Sequence, residues 1–439
     1  MTHILPGLLG LALLALAAAP SAAEPARFVA AWTGSVQGPY PVGNPTAQPD
    51  LRFALHDPAR GASNQSFRLI VRPDIWGNQT RIRLSNAFGT RPVTFEAVHI
   101  GLQLSGSALV HGTNRPVTFA GKHSVTVAPG AHVLSDPVSL PFVPNPNLTL
   151  LAGRRLAISF HVAGESGPMT WHAKALTTSY IAPPGTPPRG AEEAETGFPF
   201  STTSWYFLDA VEMSAPPGTK AVVALGDSIT DGTASTLNGD DRWPDVFARR
   251  LHGIYGQRFA VVNAGIGGNQ VTGPAEYGPA RPANGGPSAL ARLERDVISL
   301  GQVGAVIWLE GINDLGTGGA SAAAVEAGVR EGVKRLRARI PGVRIFMATL
   351  TSALHSTPSH GTPEVEARRQ AYNRFIRTTD IFDGVLDFDA ITIDPATGEL
   401  KPEFQPNSST GGPGDKLHPN RAGYLVMGHA IEPKTIVGK

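Results

Sequence analysis

Four short stretches of this chain carry residue types and spacings that can do chemistry. In the first, an apolar run, Val222-Val-Ala-Leu225, leads straight into Gly226-Asp227-Ser228. A glycine there permits a sharp turn and delivers Ser228 to the start of a helix. Backbone N–H groups are unpaired at a helix start and the dipole favours negative charge. A serine hydroxyl so placed can act as a nucleophile whose developing oxyanion already has donors. A serine in that position can equally be a plain N-cap. The second is Gly414-Asp415-Lys416-Leu417-His418-Pro419. Asp415 is close enough in sequence to hold one ring nitrogen of His418, which fixes the tautomer and leaves the other nitrogen to take a proton from a hydroxyl. A solvated Asp and a loop His is the bland alternative. The third, Glu310-Gly311-Ile312-Asn313-Asp314, brings an Asn amide to a strand end, where it can donate to an oxyanion or simply form an Asx turn. A fourth stretch, Asn263-Ala-Gly-Ile-Gly-Gly268-Asn269, is glycine-rich and lets backbone N–H groups approach a ligand, or is merely a turn.

The elements that must position these residues follow from patterning. From Ala221 onward, strand-like runs (Ala221–Leu225, Phe259–Asn263, Ala305–Leu309, Arg344–Leu350, Val385–Phe388) alternate with helical ones. The helix candidates are Pro244–Tyr255, Ser288–Ser299, Ala320–Arg339, Pro363–Thr379 and Pro419–Ile431. That alternation predicts a parallel sheet covered on both faces, with a site at the carboxyl ends of its strands. Residues 28–212 read differently. Short alternating runs, such as Phe67–Arg72, Thr80–Ser85, Val93–Leu104, Ser124–Val127, Leu156–Val162 and Ser204–Met213, are separated by turn signals, as expected of an all-β sandwich or jelly roll. Ala215-Pro-Pro-Gly218 is the expected linker. The division is thus 1–23, 24–216 and 217–439.

Composition bounds the function. The chain has 439 residues, 41% apolar and only 16% charged, which suits two or three domains with a sizeable core. A net charge of +2 with no block of like charges argues against nucleic acid or an anionic membrane surface as partner. Residues 1–23 hold an apolar run, Leu8–Ala19, too short to span a bilayer, then Pro20-Ser21-Ala22-Ala23 with small residues at Ser21 and Ala23. A cleaved secretory signal is expected, and hence a secreted or periplasmic protein, although Met1-Thr2-His3 lacks the usual positive charge. No later run is long enough for a transmembrane anchor. Cysteine is absent, so there is no disulfide or lipidated Cys.

Taken together, the motifs resemble the SGNH hydrolases, also called the GDSL esterase/lipase family. Gly226-Asp227-Ser228, Gly268, Gly311-Ile312-Asn313-Asp314 and Asp415 to Pro419 stand in the order of that family's blocks. The resemblance implies a flavodoxin-like α/β/α sandwich and a serine hydrolase mechanism without metal or organic cofactor. Ser228 would be the nucleophile, His418 the base and Asp415 its orienting partner. The Ser228 N–H, the Gly268 N–H and the Asn313 amide would form the oxyanion hole. An ester substrate is implied, with a short acyl group, acetyl above all, on a carbohydrate as the leading expectation. A lipid acyl hydrolase and a glycan-binding protein with a vestigial hydrolase domain are the alternatives. Asp227 and Asp314 are expected to brace loops. Arg242, Trp243, His355 and His360 are weaker candidates for the pocket. Trp76, Trp171 and Trp205 are candidates for a sugar-stacking platform or, for the last two especially, for the core.

Overall fold

The computed structural model describes residues 27–278 and 280–438; the expected signal segment lies outside them. In the second half, five strands form one parallel sheet: β1 (Lys220–Gly226), β2 (Phe259–Gly265), β3 (Val303–Leu309), β4 (Arg344–Ala348) and β5 (Gly384–Leu386), in the order β2-β1-β3-β4-β5. This is the flavodoxin-like order, whose crevice opens where the chain reverses direction beside β1. β1 and β3 are buried along almost their whole length, as continuous apolar runs covered on both faces require. The helices are α1 (Ser228–Asp231), α2 (Trp243–Tyr255), α3 (Ala289–Leu293), α4 (Ile312–Leu315), α5 (Ala322–Arg339), α6 (Pro363–Thr378), α7 (Phe388–Thr392), α8 (Arg421–Ala430) and α9 (Pro433–Val437). Two expectations shift. The fifth strand stops at Leu386, because Asp387 caps α7 through the Ala390 N–H, so Phe388 is helical. The helix expected over Ser288–Ser299 is α-helical only to Leu293 and continues as a π turn over Glu294–Ile298.

Residues 27–215 form antiparallel sheets. One runs Arg27–Thr33, Leu208–Ala215, Gln79–Ser85, Val138–Ser139, and another is built around Ser63–Val71, Leu156–Glu165 and Val93–Ser105. Phe67, Phe95 and Phe160 of the second sheet pack around Phe207, which precedes a strand of the first, with ring centroids 5.3–6.3 Å apart. The aromatic core therefore sits between two sheets. Trp171 and Trp205 are buried and donate their indole N–H groups to Val42 O and Ile70 O, and Trp76 is buried as well. The three rings are core, not an exposed sugar platform.

The expected linker is only the turn between the strand ending at Ala215 and β1, and the buried apolar residues of the two halves belong to one continuous cluster. Polar contacts cross the seam. Ala30 N donates to Gly301 O at 3.0 Å, and Arg83, ion-paired to Asp209 at 2.6 Å, also reaches Ser299 Oγ and Arg295 O. Arg72 pairs with Asp245 of α2 at 2.8 Å. Asp74 accepts from His252 of α2 at 3.0 Å and from the Val261 N–H of β2.

The Asp74–His252 pair makes stability pH-dependent. Burial alone would lower the His252 pKa, but the adjacent Asp74 carboxylate and the Gly256 carbonyl lift it to about 9. A group whose folded-state pKa is raised stabilises the fold fully below its unfolded value, ~6.5, and loses that contribution as pH rises through about 9. Unfolding free energies from urea titrations between pH 6 and pH 10 should fall through this window by an amount on the order of 1–3 kcal/mol. His252→Asn should remove most of that slope. An unchanged slope in the variant would assign it to other groups.

Candidate active site

The nucleophile candidate sits where β1 ends. A Cβ on Gly226 would lie 2.3 Å from Leu309 O of β3 and 2.4 Å from Thr230 Oγ1, so only glycine lets the chain turn here. Ser228 is not the N-cap. Asp227 takes that role, accepting from the Ile229 N–H at 2.9 Å, which leaves the Ser228 side chain free at the first helical position. Burial pushes the Asp227 carboxyl well above the usual carboxylate range.

His418 reaches Ser228 from the loop before α8. The Ser228 hydroxyl donates to His418 Nε2 at 2.8 Å, and His418 Nδ1–H donates to Asp415 Oδ2 at 2.6 Å. The carboxylate can only accept, which fixes the proton on Nδ1 and leaves Nε2 basic. Asp415 Oδ1 accepts from the Leu417 and His418 N–H groups at 3.0 and 2.9 Å. Partial burial pushes its carboxyl up, but the hydrogen bonds and charge of His418 outweigh that and hold it below the usual range. The spacing of three residues therefore does what the sequence suggested: one loop carries both groups, with the acid wrapped around its own backbone.

Gly268 and Asn313 face the same point. Gly268 has φ +84°, a left-handed conformation that glycine adopts without strain. Its neighbours' N–H groups are occupied: Gly267 donates to Asp231 Oδ2 at 2.9 Å and Asn269 to Ile266 O at 3.0 Å. The Gly268 N–H has no such bond among the described residues. Asn313, in α4, is buried, and its Nδ2 donates to Asn269 O at 2.9 Å. One of its two amide hydrogens is thereby placed, which aims the other. Asp314 binds the Val271 and Thr272 N–H groups and the Thr272 hydroxyl at 2.8–3.0 Å, so it braces the loop after β2.

Beneath these groups lies Arg292 of α3, fully buried. Its guanidinium donates to Gly226 O at the end of β1 at 2.9 Å and to Ala264 O in β2 at 2.7 Å. It also donates to Asn269 Oδ1 at 2.7 Å and pairs with Asp296 at 3.1 Å. Neither Arg292 nor Asp231 stands out in the sequence, because both belong to segments with no motif.

The open cleft over Ser228 is lined by Asn44, Lys174, Thr233, Gly268, Asn313 and His418 among others, with a volume of about 520 Å³. Asn44 and Lys174 come from the β-rich half, so that half forms one wall. His360 lines the cleft, as the sequence allowed, but its bond is to protein: Nε2–H donates to Asn313 Oδ1 at 3.1 Å, while Nδ1 accepts from the Thr357 and Ser359 hydroxyls. Burial, and then the charge of His418, keep its pKa low, so it stays neutral in this tautomer. His355 is exposed and paired to Glu399, away from the cleft. Trp243 is buried against Phe388, and Arg242 is tied to Asp245; neither lines the cleft.

Residues 224–426 match the model of the GDSL-like lipase/acylhydrolase family. The chain carries a GDSL-like hydrolase domain. It is a carboxylic ester hydrolase domain, and its matched span contains Ser228, Gly268, Asn313, Asp415 and His418. Among similar solved structures is a carbohydrate acetylesterase family member from Sinorhizobium meliloti, 19% identical, covering 50% of this chain and 100% of that one at a TM-score of 0.37. An aryl esterase from M. smegmatis is 17% identical over 48% of this chain and 95% of that one, with a TM-score of 0.37. A GDSL-like lipase from Bacteroides thetaiotaomicron is 16% identical over 49% and 87%, with a TM-score of 0.36. Likeness at this level says nothing about substrate. A comparison with curated proteins found no match.

The hydrogen bond from His360 to Asn313 yields a test. His360→Phe removes the donor that orients the amide, and ester turnover should drop on the order of tenfold, a fraction of the ~10²–10³ cost of losing an oxyanion donor outright. KM should change little. His360→Gln, whose amide can still donate, should recover much of the loss. Equal losses in both variants would mean that the ring only fills space.

Proposed function

We propose that the protein is a serine esterase acting through Ser228, His418 and Asp415, with an oxyanion hole of the Ser228 N–H, the Gly268 N–H and the Asn313 amide. The observation that carries this reading is the continuous chain of hydrogen bonds from Ser228 Oγ through His418 to Asp415, at 2.8 and 2.6 Å. Ser228 Oγ attacks the ester carbonyl as His418 Nε2 takes its proton. The carbonyl oxygen becomes an oxyanion facing the three donors. His418 then passes the proton to the departing alcohol, and the acyl group stays on Ser228. A water molecule, deprotonated by the same nitrogen, attacks the acyl-enzyme and releases the acid. Asp415, held in its ionised form, balances the imidazolium at both stages. The sequence of steps needs no metal or organic cofactor.

A short acyl group on a hydrophilic alcohol, such as an acetylated sugar, fits the cleft best. Its named lining is dominated by Asn, Gln, Ser, Thr, Gly and His, with Leu417 as its one large aliphatic side chain. The apolar side chains that a long acyl chain would meet there are Pro274, Ala283 and Leu417. No helix among the described residues is long and apolar enough to cross a membrane. The apolar run Leu8–Ala19, ending in small residues, supports export of the protein.

Ser228→Ala should lower ester hydrolysis on the order of 10⁴-fold or more, and a serine-reactive phosphonate should label Ser228 in the native enzyme. Labelling at another serine would sink the mechanism. Asn313→Ala leaves nucleophile and base in place and should cost about 10²–10³ in kcat with little change in KM. A variant with native kcat would reduce Asn313 to a loop-shaping residue.

A further inference from the structure

One basic side chain in the cleft has no bonded partner among the described residues. Lys174 follows the strand Thr170–His172 of the β-rich half, is only 5% exposed, and lines the cleft beside Ser228, Gly267 and Gly268. Among the described residues its Nζ makes no hydrogen bond and has no carboxylate within 4.0 Å. Apart from Asp415, every other residue lining the cleft is uncharged or a histidine.

The nearby carboxylates are committed elsewhere. Asp415 is engaged by His418 and two backbone N–H groups. Asp231 is balanced by His172, as the ring's contacts require. His172 Nδ1 lies 2.7 Å from Ser35 O, and Nε2 lies 3.1 Å from Lys174 O and 3.2 Å from Asp231 Oδ1. All three oxygens can only accept, so both ring nitrogens donate and the ring is an imidazolium. Burial opposes that charge, but Asp231 and the two carbonyls more than offset it and raise the His172 pKa. His172 and Asp231 thus cancel, and Lys174 is left with no bonded partner and its open side toward the cleft. Burial lowers its pKa, while the fields of Asp231 and Asp415 work to keep it charged. In its charged form such a buried amine calls for an anion at hydrogen-bonding distance.

We propose that Lys174 forms an anion subsite next to the oxyanion hole, and that the preferred substrate is an ester bearing a carboxylate close to the scissile carbonyl, as in an acylated uronic-acid sugar. This rests on the esterase reading of Ser228. The β-rich half would then select the substrate while the second half breaks the bond.

The carboxylate can sit on the alcohol or on the acyl side, and two matched pairs distinguish them. One pair is an O-acetylated methyl galacturonoside and its methyl ester. The other is 4-nitrophenyl hydrogen succinate and 4-nitrophenyl methyl succinate. In at least one pair, kcat/KM of the native enzyme should be about 10–100-fold higher for the free carboxylate, the scale of a charge-assisted hydrogen bond. Lys174→Met should abolish that ratio, and Lys174→Arg should keep most of it. Free galacturonate or succinate should compete with 4-nitrophenyl acetate in the native enzyme and lose this effect in Lys174→Met. No preference in either pair overturns the subsite, as does a preference that survives Lys174→Met, or a uniform loss on all four esters. Turnover of 4-nitrophenyl acetate separates the two levels. An enzyme active on it but indifferent to charge refutes the subsite alone; one inactive on it refutes the esterase reading as well.

Discussion

Arg292 is the constraint on which the site depends. A single buried guanidinium gathers the last carbonyl of the nucleophile strand, a carbonyl of its neighbouring strand, the side chain of Asn269 and the carboxylate of Asp296. Asn269 in turn supplies the backbone oxygen that holds the Asn313 amide. Three segments distant in sequence are thereby fixed in one register. Removing such a charge from water costs several kcal/mol, which is recovered only when the remaining donors are satisfied. Only a planar fork with five donors can do this in one place; a lysine would reach fewer of the four acceptors, with no fixed angle between them. The strand-end glycines are permissive, and Arg292 is what makes their geometry single-valued.

A second buried ionic unit, His172 with Asp231, works across the seam. Asp231 closes the short helix that begins with Ser228, holds the Gly267 N–H, and meets a ring from the β-rich half. The loop that presents Gly268 is therefore anchored from both halves of the chain. The cleft over Ser228 is a property of the seam rather than of the α/β half alone, and polar pairs, not only apolar area, define how the halves register.

The proposed catalytic groups were legible because each lies in a motif whose spacing is itself the geometry. Asp415 and His418 sit on one loop, and Ser228 is delivered by the turn at Gly226. The five strands of the parallel sheet and the longer helices were legible from the alternation of apolar runs with amphipathic ones, while the short α4, α7 and α9 were not. The boundaries were less so: Asp387 looks like part of a strand until its side chain is seen capping the next helix. Lys174 and Arg292 were illegible for a different reason. Lys174 lies 54 positions before Ser228 in a segment without pattern, and its meaning arises only from what the fold places beside it. His360 was visible as a histidine on the correct edge, but its partner, the Asn313 oxygen, could not be read from sequence. The supposed linker was misleading in kind: Pro and Gly mark a turn, and a turn between two strands need not separate two cores.

That turn has a consequence for how the chain comes into being. Synthesis proceeds from the N-terminus, so the β-rich half leaves the ribosome first. Arg72, Asp74 and His172 then lie on a surface whose partners, Asp245, His252 and Asp231, do not yet exist. The nascent half must keep these groups hydrated and its seam-facing apolar residues sheltered by other means. Its contacts across the seam form only when the second half is present. What reads in one dimension as two successive domains shares one apolar cluster, whose second part is synthesised last.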